Sequence, residues 1–527
     1  MASFCIESVL ISESVDPRCK RILEENGIHV TEKQNMTKEA LIAEIKEYDG
    51  LVVRSATKVT ADVIAAASNL KIIGRAGTGV DNVDVEAATK KGIIVMNTPS
   101  GNTISAAELT CALIMSLSRH VPQAAMSMKA GKWDRKKFMG AELYGKVLGI
   151  VGLGRIGKEV ASRMQSFGMK TIGYDPITPP EVSASWGVDQ MSLEQLWPQC
   201  DYITVHTPLM PSTVGLLNDE TFAKCKKGVK VVNCARGGII DEAALFRALE
   251  SGQCGGAGLD VFVEEPPRDR ALLDHPNVIG CPHLGASTKE AQARCGEDIA
   301  LQIVDMVKGR KLFGAVNAQV LASTFSQESQ ELIKFGEVIG AVLKACATSK
   351  KPCSHLQIKT RGDGMKSSSG YLTSAVLVGL LGNESTSINL INVLNFANDS
   401  GIQVNQTHST SNCGGALCEV ELSADGWKLT ASGSVQNGVP VLLTLSDSVF
   451  RQPVSLIGNL LLFKASASPQ LLSSVVGVLA THGVQIESFS APTKHTGEQW
   501  YCVGVSKLLK DLNALKPIVT DVAQVKI

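Results

Sequence analysis

Three short segments carry residue types that together could move a hydride. They are Cys234-Ala235-Arg236-Gly-Gly, Asp260-Val-Phe-Val-Glu264-Glu265-Pro266-Pro267 and Cys281-Pro282-His283-Leu-Gly285-Ala286. Each closes a stretch whose pattern reads as a β-strand, and α/β folds place their ligand crevice at strand C-terminal ends. Taking a hydride from a carbinol requires a base for the hydroxyl proton, and histidine titrates near the working pH. A carboxylate such as Glu265 can orient the imidazole and raise its basicity. The planar fork of Arg236 can grip a substrate carboxylate and polarise the carbonyl that forms. Each residue taken singly also has an ordinary reading: an exposed acid, a structural histidine, a surface ion-pair partner. The pattern leaves both readings open.

A fourth segment, Val147-Leu-Gly-Ile-Val-Gly152-Leu-Gly154-Arg155-Ile156-Gly157, runs from a strand into Gly-x-Gly-x-x-Gly and then a helix. The glycines permit a tight turn and let backbone approach a pyrophosphate, while the helix N-terminus supplies amide donors and a positive dipole end. The next strand, Lys170–Tyr174, runs into Asp175. A carboxylate there can accept from both ribose hydroxyls and repel a 2′-phosphate, which predicts NAD rather than NADP. Gly74-Arg75-Ala-Gly77-Thr78-Gly79 also follows a strand, but its spacing differs and no strand-end acid follows. It reads as a turn-rich loop whose glycines would allow close approach to a ligand.

The elements that must position these groups alternate as βαβ units over the first part of the chain. Strands are expected at Phe4–Ser12, Gly50–Arg54, Leu70–Gly74 and Gly92–Met96. A second series is expected at Val147–Val151, Lys170–Tyr174, Tyr202–His206, Lys230–Cys234 and Gly256–Val261. A helix over Thr103–His120, capped by Asn102 or Thr103, joins the two series, and another is expected over Ser287–Lys308. If that last helix packs back on the first series, the first domain is discontinuous. Beyond Phe313 charge falls and strands appear without regular helices, at Ile402–Val404, Leu417–Leu422, Trp427–Ser432 and Val439–Leu445. The end reads as a split βαβ: Asn459–Lys464, Pro469–His482, Val484–Ser490, Gln499–Val505, a helix Lys507–Leu515 and Ala523–Ile527. The expected division is 1–100 plus 287–315, 101–286, 316–450 and 455–527.

Composition limits the function classes. The 527 residues are too many for one core. Lys and Arg number 51 and so do Asp and Glu, a balance that argues against nucleic acid or anionic membrane held by bulk charge. If the substrate is an anion, local arginines must attract it. The 14 cysteines show no Cys-x-x-Cys spacing, so no metal site is expected, and reduced thiols point to the cytosol. No signal segment or membrane span is read. Cys234 and Cys281 beside the site could confer oxidation sensitivity or simply pack.

The motifs Gly152-Leu-Gly154-Arg155-Ile156-Gly157, Arg236-Gly-Gly, Asp260…Glu265-Pro and His283-Leu-Gly285, in this order, resemble the D-isomer-specific 2-hydroxyacid dehydrogenase family. The resemblance covers residues 1 to about 315 and implies an NAD-dependent dehydrogenase of a small 2-hydroxy acid. It implies Arg236 as carboxylate binder, Glu265 as orienting partner and His283 as acid/base. Cofactor contacts are implied for Thr78, Arg155, Ile156, Asp175, Thr207, Cys234, Ala235, Asp260, Gly285 and Ala286, beside Gly152, Gly154 and Gly157. The fold implied is a Rossmann-type NAD domain inserted in a flavodoxin-like α/β substrate domain. Two α+β C-terminal domains follow, the last ACT-like (ferredoxin-like).

A substrate with a phosphate as well as a carboxylate needs further cations. Arg54 ends a first-domain strand and Arg75 sits in the glycine loop; both should face the cleft, and Asn102 could add an amide. Arg135, in Lys132-Trp-Asp-Arg135-Lys136-Lys137, is a third cation, although such a run also suits a solvated face or partner contact. The length and the runs around Arg54 and Arg75 resemble the long branch of the family, which oxidises 3-phosphoglycerate in serine synthesis. That resemblance implies substrate contact from Arg54 and Arg75, and Arg135 reaching a neighbouring subunit in a homo-oligomer. Side activity on 2-oxoglutarate is one extension of this reading. A glyoxylate or hydroxypyruvate reductase and an NAD-sensing scaffold are the rivals. In the ACT-like segment, serine-binding relatives carry Pro-Gly at the first strand–helix turn. Here Pro469 is followed by Gln470, so a purely structural role is expected at least as much as control by serine.

Overall fold

Short apolar runs closed by turn residues are largely buried, Gly50-Leu-Val-Val53 along its whole length, as strands covered on both faces must be. They form a parallel sheet of β1 (Ser8–Ile11), β2 (His29–Glu32), β3 (Gly50–Val53), β4 (Ile72–Arg75) and β5 (Ile94–Asn97). The order β2-β1-β3-β4-β5 is the flavodoxin-like winding. The computed structural model describes residues 5–347, 352–366, 368–382, 388–410, 417–494 and 497–527, so Phe4 of the expected first strand lies outside it. β2 was not expected from sequence. It is an edge strand with a single buried residue, Val30, and shows no apolar run.

The second sheet comprises β6 (Val147–Val151), β7 (Lys170–Tyr174), β8 (Asp189–Gln190), β9 (Tyr202–Val205), β10 (Val229–Asn233), β11 (Cys254–Leu259) and β12 (Val278–Gly280). All seven are parallel in the order β12-β11-β10-β9-β6-β7-β8. The winding reverses between β6 and β9, the switch point where such sheets open a ligand crevice. The helix Thr103–Arg119 leads into this sheet. Its cap, Asn102, makes no side-chain capping bond, because its Oδ1 accepts from Thr78 Oγ1 at 2.6 Å instead. The later helix Lys289–Val307 returns to the first sheet, where Ile299 and Ile303 share a core with Ile72 and Ile94. Residues 314–316 then hydrogen-bond along β5, through Asn97 N to Gly314 O and Val316 N to Val95 O.

Two α+β units follow. The first has β13 (His355–Arg361), β14 (Gln403–Ser409), β15 (Leu417–Ala424), β16 (Trp427–Gln436), β17 (Val439–Leu445) and β18 (Ser448–Ser455), ordered β14-β13-β15-β16-β17-β18. Only β13 and β14 pair in parallel. The sequence reading of an α+β unit named no helix here, and Gln327–Ala347 and Ser369–Leu381 are long helices packed on each other and on this sheet. Ser369–Leu381 is apolar nearly all round, so it carries no amphipathic period to mark it. β18 also crosses residue 450, the expected end of this unit. The last unit orders β19 (Asn459–Ser466), β20 (Ile486–Ser490), β21 (Glu498–Val505) and β22 (Asp521–Lys526) as β20-β21-β19-β22, the split βαβ sheet around the helix Leu471–Thr481.

The expected helix Lys507–Leu515 is a correction: the segment is a run of turns. Asp511 Oδ1 takes the Asn513 amide at 2.9 Å, an alternative to helical pairing, and Pro517 restricts the residue before it. Among the described residues no helix is long and apolar enough to cross a membrane.

Candidate active site

At the end of β10 the buried Asn233 folds the chain onto itself. Its Oδ1 accepts from Ala235 N at 2.9 Å and its Nδ2 donates to Arg236 O at 2.8 Å. Gly237 lets this turn lie against the next one, since a Cβ there would sit 2.0 Å from Phe262 O. Arg236 leaves the turn with Nη1 donating to Ala235 O at 2.6 Å and Nε donating to Asp81 Oδ2 at 2.8 Å.

At the end of β11 the fully buried Asp260 takes two backbone amides, from Leu284 N at 2.6 Å on Oδ1 and Gly285 N at 2.8 Å on Oδ2. Burial pushes its carboxyl up, and those two amides offset part of the shift. They hold the turn after His283, a residue whose φ of +54° is uncommon outside glycine. His283 Nδ1 lies 2.7 Å from Glu265 Oε2, while Glu265 Oε1 accepts from Phe262 N at 3.1 Å. The hydrogen bond to Glu265 raises the His283 pKa above its ordinary value, against the lowering by burial. For Glu265 burial acts upward, but the bonds from His283 and Phe262 hold the carboxyl below its ordinary value. The pair can therefore take a proton on imidazole and stabilise the imidazolium.

Across the cleft, Glu13 organises the segment after β3. Its Oε1 takes the amides of Arg54 at 2.9 Å and Thr57 at 2.7 Å, and Oε2 that of Ala56 at 3.1 Å. Asn82 Nδ2 donates to both Arg54 O and Thr57 O at 2.7 Å, tying this segment to the glycine loop after β4. Arg54 Nη1 donates to Ser14 O at 3.1 Å. Arg75 Nε is shut from solvent without a hydrogen-bond partner among the described residues. Burial lowers the Arg75 pKa, and the charges of Arg236 and Arg54 lower it further. Three cations thus converge on one cleft. Arg135 does not join them within this chain; it lies on an exposed arm. Asn102 is paired with Thr78, whose Oγ1 donates to it.

The cofactor side is shaped by backbone. Gly152 has φ +97°, and a Cβ there would meet His206 O at 2.6 Å; one at Gly157 would meet Gly152 O at 2.1 Å. Gly154 faces open space, and Arg155 begins the helix Arg155–Ser166, with Ile156 half-buried behind it. Asp175 Oδ2 accepts from Leu153 N at 2.7 Å, and Oδ1 accepts from Ile177 N and Thr178 N. Cys234 is buried and its thiol is pushed up to about 12, which suits packing; burial also raises that of the half-buried Cys281. Ala286 borders the Arg54 side of the cleft with Cys295.

Residues 111–285 match the family described as D-isomer specific 2-hydroxyacid dehydrogenase, NAD binding domain, and residues 329–443 match the D-3-phosphoglycerate dehydrogenase intervening domain. The human D-3-phosphoglycerate dehydrogenase is 57% identical over 99% of both chains. The chain belongs to the D-3-phosphoglycerate dehydrogenase family. The member from Methanocaldococcus jannaschii is 40% identical over 97% of this chain and 95% of its own. Among solved structures, a glyoxylate reductase from Paecilomyes thermophila is 30% identical with a TM-score of 0.55, covering 60% of this chain and all of its own.

As a member of that family the chain is an NAD-dependent dehydrogenase. The residues present fit NAD. Gly154 leaves room beside a helix N-terminus, and Thr207, whose methyl packs over Gly152, has its Oγ1 buried with no partner among the described residues. Sequence reasoning missed Glu13, Asp81 and Asn233. Asp81 stands two residues beyond the Gly77-Thr78-Gly79 loop and Asn233 just before the Arg236 segment, so proximity to those motifs was the available signal. Glu13 follows β1 with no motif around it.

Proposed function

We propose that the chain oxidises (2R)-3-phosphoglycerate to 3-phosphohydroxypyruvate with NAD, the first step of L-serine biosynthesis. One observation carries the substrate: Arg75, with its Nε buried and unpartnered, stands close enough to Arg54 and Arg236 to feel both charges. An anion bound among these like charges would offset their repulsion beyond what Asp81 and Glu13 supply, and a hydroxy acid with two anionic ends supplies one for each side.

In this reading Arg236 binds the substrate carboxylate, and Arg54 and Arg75 bind the phosphate. His283 takes the hydroxyl proton at Nε2, which makes no hydrogen bond among the described residues, and Glu265 holds the imidazolium through Nδ1. NAD, when bound, accepts the hydride. Gly152, Gly154 and Gly157 with Arg155 and Ile156 hold its pyrophosphate, Asp175 its adenosine ribose, and Thr78, Thr207, Cys234, Ala235, Asp260, Gly285 and Ala286 border the rest. Closure of the two α/β domains excludes water. Residues 1–100 with 287–315 form the substrate domain and 101–286 the NAD domain; of the two appended units, the first runs from 316 through β18 and the second from β19 onward. Asn102 acts through its bond to Thr78.

A cytosolic homo-oligomer completes the reading. The described cysteines are all free thiols, and the arm bearing Arg135 exposes Trp133, Met139 and Tyr144, apolar groups that a second copy would cover. Arg135 then reaches the neighbour's cleft.

The test is NADH-coupled turnover of 3-phosphohydroxypyruvate, hydroxypyruvate, glyoxylate and 2-oxoglutarate. Preference for the phosphorylated ketoacid is expected, with Arg54→Ala raising KM and His283→Ala lowering kcat by roughly 10²–10⁴-fold. Tight NADH binding without turnover of any ketoacid would sink the enzyme reading and favour an NAD-sensing scaffold.

A further inference from the structure

Arg236 enters the cleft with a partner that the reaction itself does not require. Its Nε donates to Asp81 Oδ2 at 2.8 Å and its Nη1 to Ala235 O at 2.6 Å, while Nη2 makes no hydrogen bond among the described residues. That third nitrogen lies over the glycine loop: a Cβ on Gly79 would sit 1.8 Å from Nη2 and 2.8 Å from Asp81 Oδ2. The ion pair spans the cleft, since Asp81 follows β4 of the first sheet and Arg236 follows β10 of the second.

We propose that Asp81 is a positioning residue for the reaction, holding the guanidinium of Arg236 by its inner edge so that Nη2 faces the substrate carboxylate. This rests on the reading of Arg236 as carboxylate binder. An arginine side chain has several soft torsions, and a fork is selective only when its plane is set. Ala235 O fixes one corner and Asp81 a second, which sets the plane and leaves the third corner to the ligand. Stability is a poor reason for the pair. Asp81 is 68% exposed on its side chain, and ion pairs at such sites contribute little to folding. Gly79 is part of the same device, because any side chain there would displace Nη2. Asp81 also lies on the opposite domain from Arg236, so the fork is aimed only when the domains are together.

The experiment uses the full-length enzyme and measures KM for 3-phosphohydroxypyruvate, kcat, NADH affinity by fluorescence, and Tm. Asp81→Ala should raise KM on the order of tenfold, the scale of misplacing a substrate-gripping group, with NADH affinity and Tm unchanged. Asp81→Asn, which keeps an acceptor, should recover much of the loss. In an Arg236→Lys background, where no Nε remains to hold, Asp81→Ala should have no further effect on KM. An equal rise in both backgrounds, an unchanged KM, or a lowered KM (the mark of a competing counter-ion) would each overturn the proposal. So would a loss confined to Tm or NADH binding. Absence of turnover in the unsubstituted enzyme would instead remove the functional reading beneath it.

Discussion

Two glycine-rich loops, one following β4 of the first sheet and one following β6 of the second, use glycine for different reasons. In Gly152–Gly157, glycine spares backbone from backbone: a Cβ at Gly157 would lie 2.1 Å from Gly152 O, and one at Gly152 would lie 2.6 Å from His206 O. In Gly77–Gly79, glycine spares backbone from arginine: a Cβ at Gly77 would lie 1.5 Å from Arg75 Nη1, and one at Gly79 would lie 1.8 Å from Arg236 Nη2. The first loop is a local device, complete once a strand, a turn and a helix are in register. The second is made only when side chains from two domains fold over it. A glycine motif with a known spacing is therefore the easier one to read, although the loop without that spacing does as much to shape the site.

The largest effect should come from the first loop. Gly157→Ala forces an overlap with a carbonyl that has nowhere to go, so overpacking of about 1–3 kcal/mol is expected, with Tm falling and NADH affinity lost together. Gly154→Ala, facing open space, should leave Tm in place and weaken NADH alone. If thermal unfolding and NADH titration show the two substitutions behaving alike, the backbone-packing account of this loop is wrong.

An intermediate effect belongs to the acid–base pair, which stands apart from both loops. His283 has a raised pKa chiefly because of Glu265. Oxidation needs the neutral imidazole, so kcat for oxidation should rise as pH climbs through a value above 6.5, and reduction should fall over the same interval. Glu265→Gln removes the raising contact and leaves burial, so both limbs should move to lower pH, with kcat for reduction at pH 7 down on the order of a hundredfold. A pH–rate profile that does not move would exclude Glu265 as the partner that sets this titration.

The smallest effect should come from the second loop. Gly77→Ala strains a residue at φ +150° and pushes Arg75 aside. KM for the phosphorylated ketoacid should rise on the order of tenfold while NADH affinity holds. Isothermal titration with NADH, run beside steady-state kinetics, checks the contrast: a variant that loses NADH and keeps KM would erase the distinction between the loops.

What could be read in advance follows the same division. Gly152 to Gly157, Asp175, Arg236, Glu265 and His283 each sit at a strand end in one stretch of chain, and strands of buried apolar runs are legible by period. The edge strand β2 was not, because only Val30 of it is buried. Nor was the helix Ser369–Leu381, apolar on all sides, nor the turns at Lys507–Leu515, where Asp511 bonds locally to the Asn513 amide instead of joining a helix. The cap expected of Asn102 was displaced by a tertiary partner, Thr78.

The sequence by itself determined the strands of buried apolar runs and the cofactor loop, because each depends on neighbours within one βαβ unit, whereas Arg236, Glu265 and His283 stood out only as strand-end candidates on three separate strands. Only the tertiary structure decided that Glu13 would seat the Arg54 segment, that Arg75 would lie buried beside Arg54 and Arg236, and that Asp81 would reach Arg236 across the cleft. The Glu13–Arg54 and Asp81–Arg236 contacts join residues 41 and 155 positions apart. Their energies come from burial and charge at distances that no local period records.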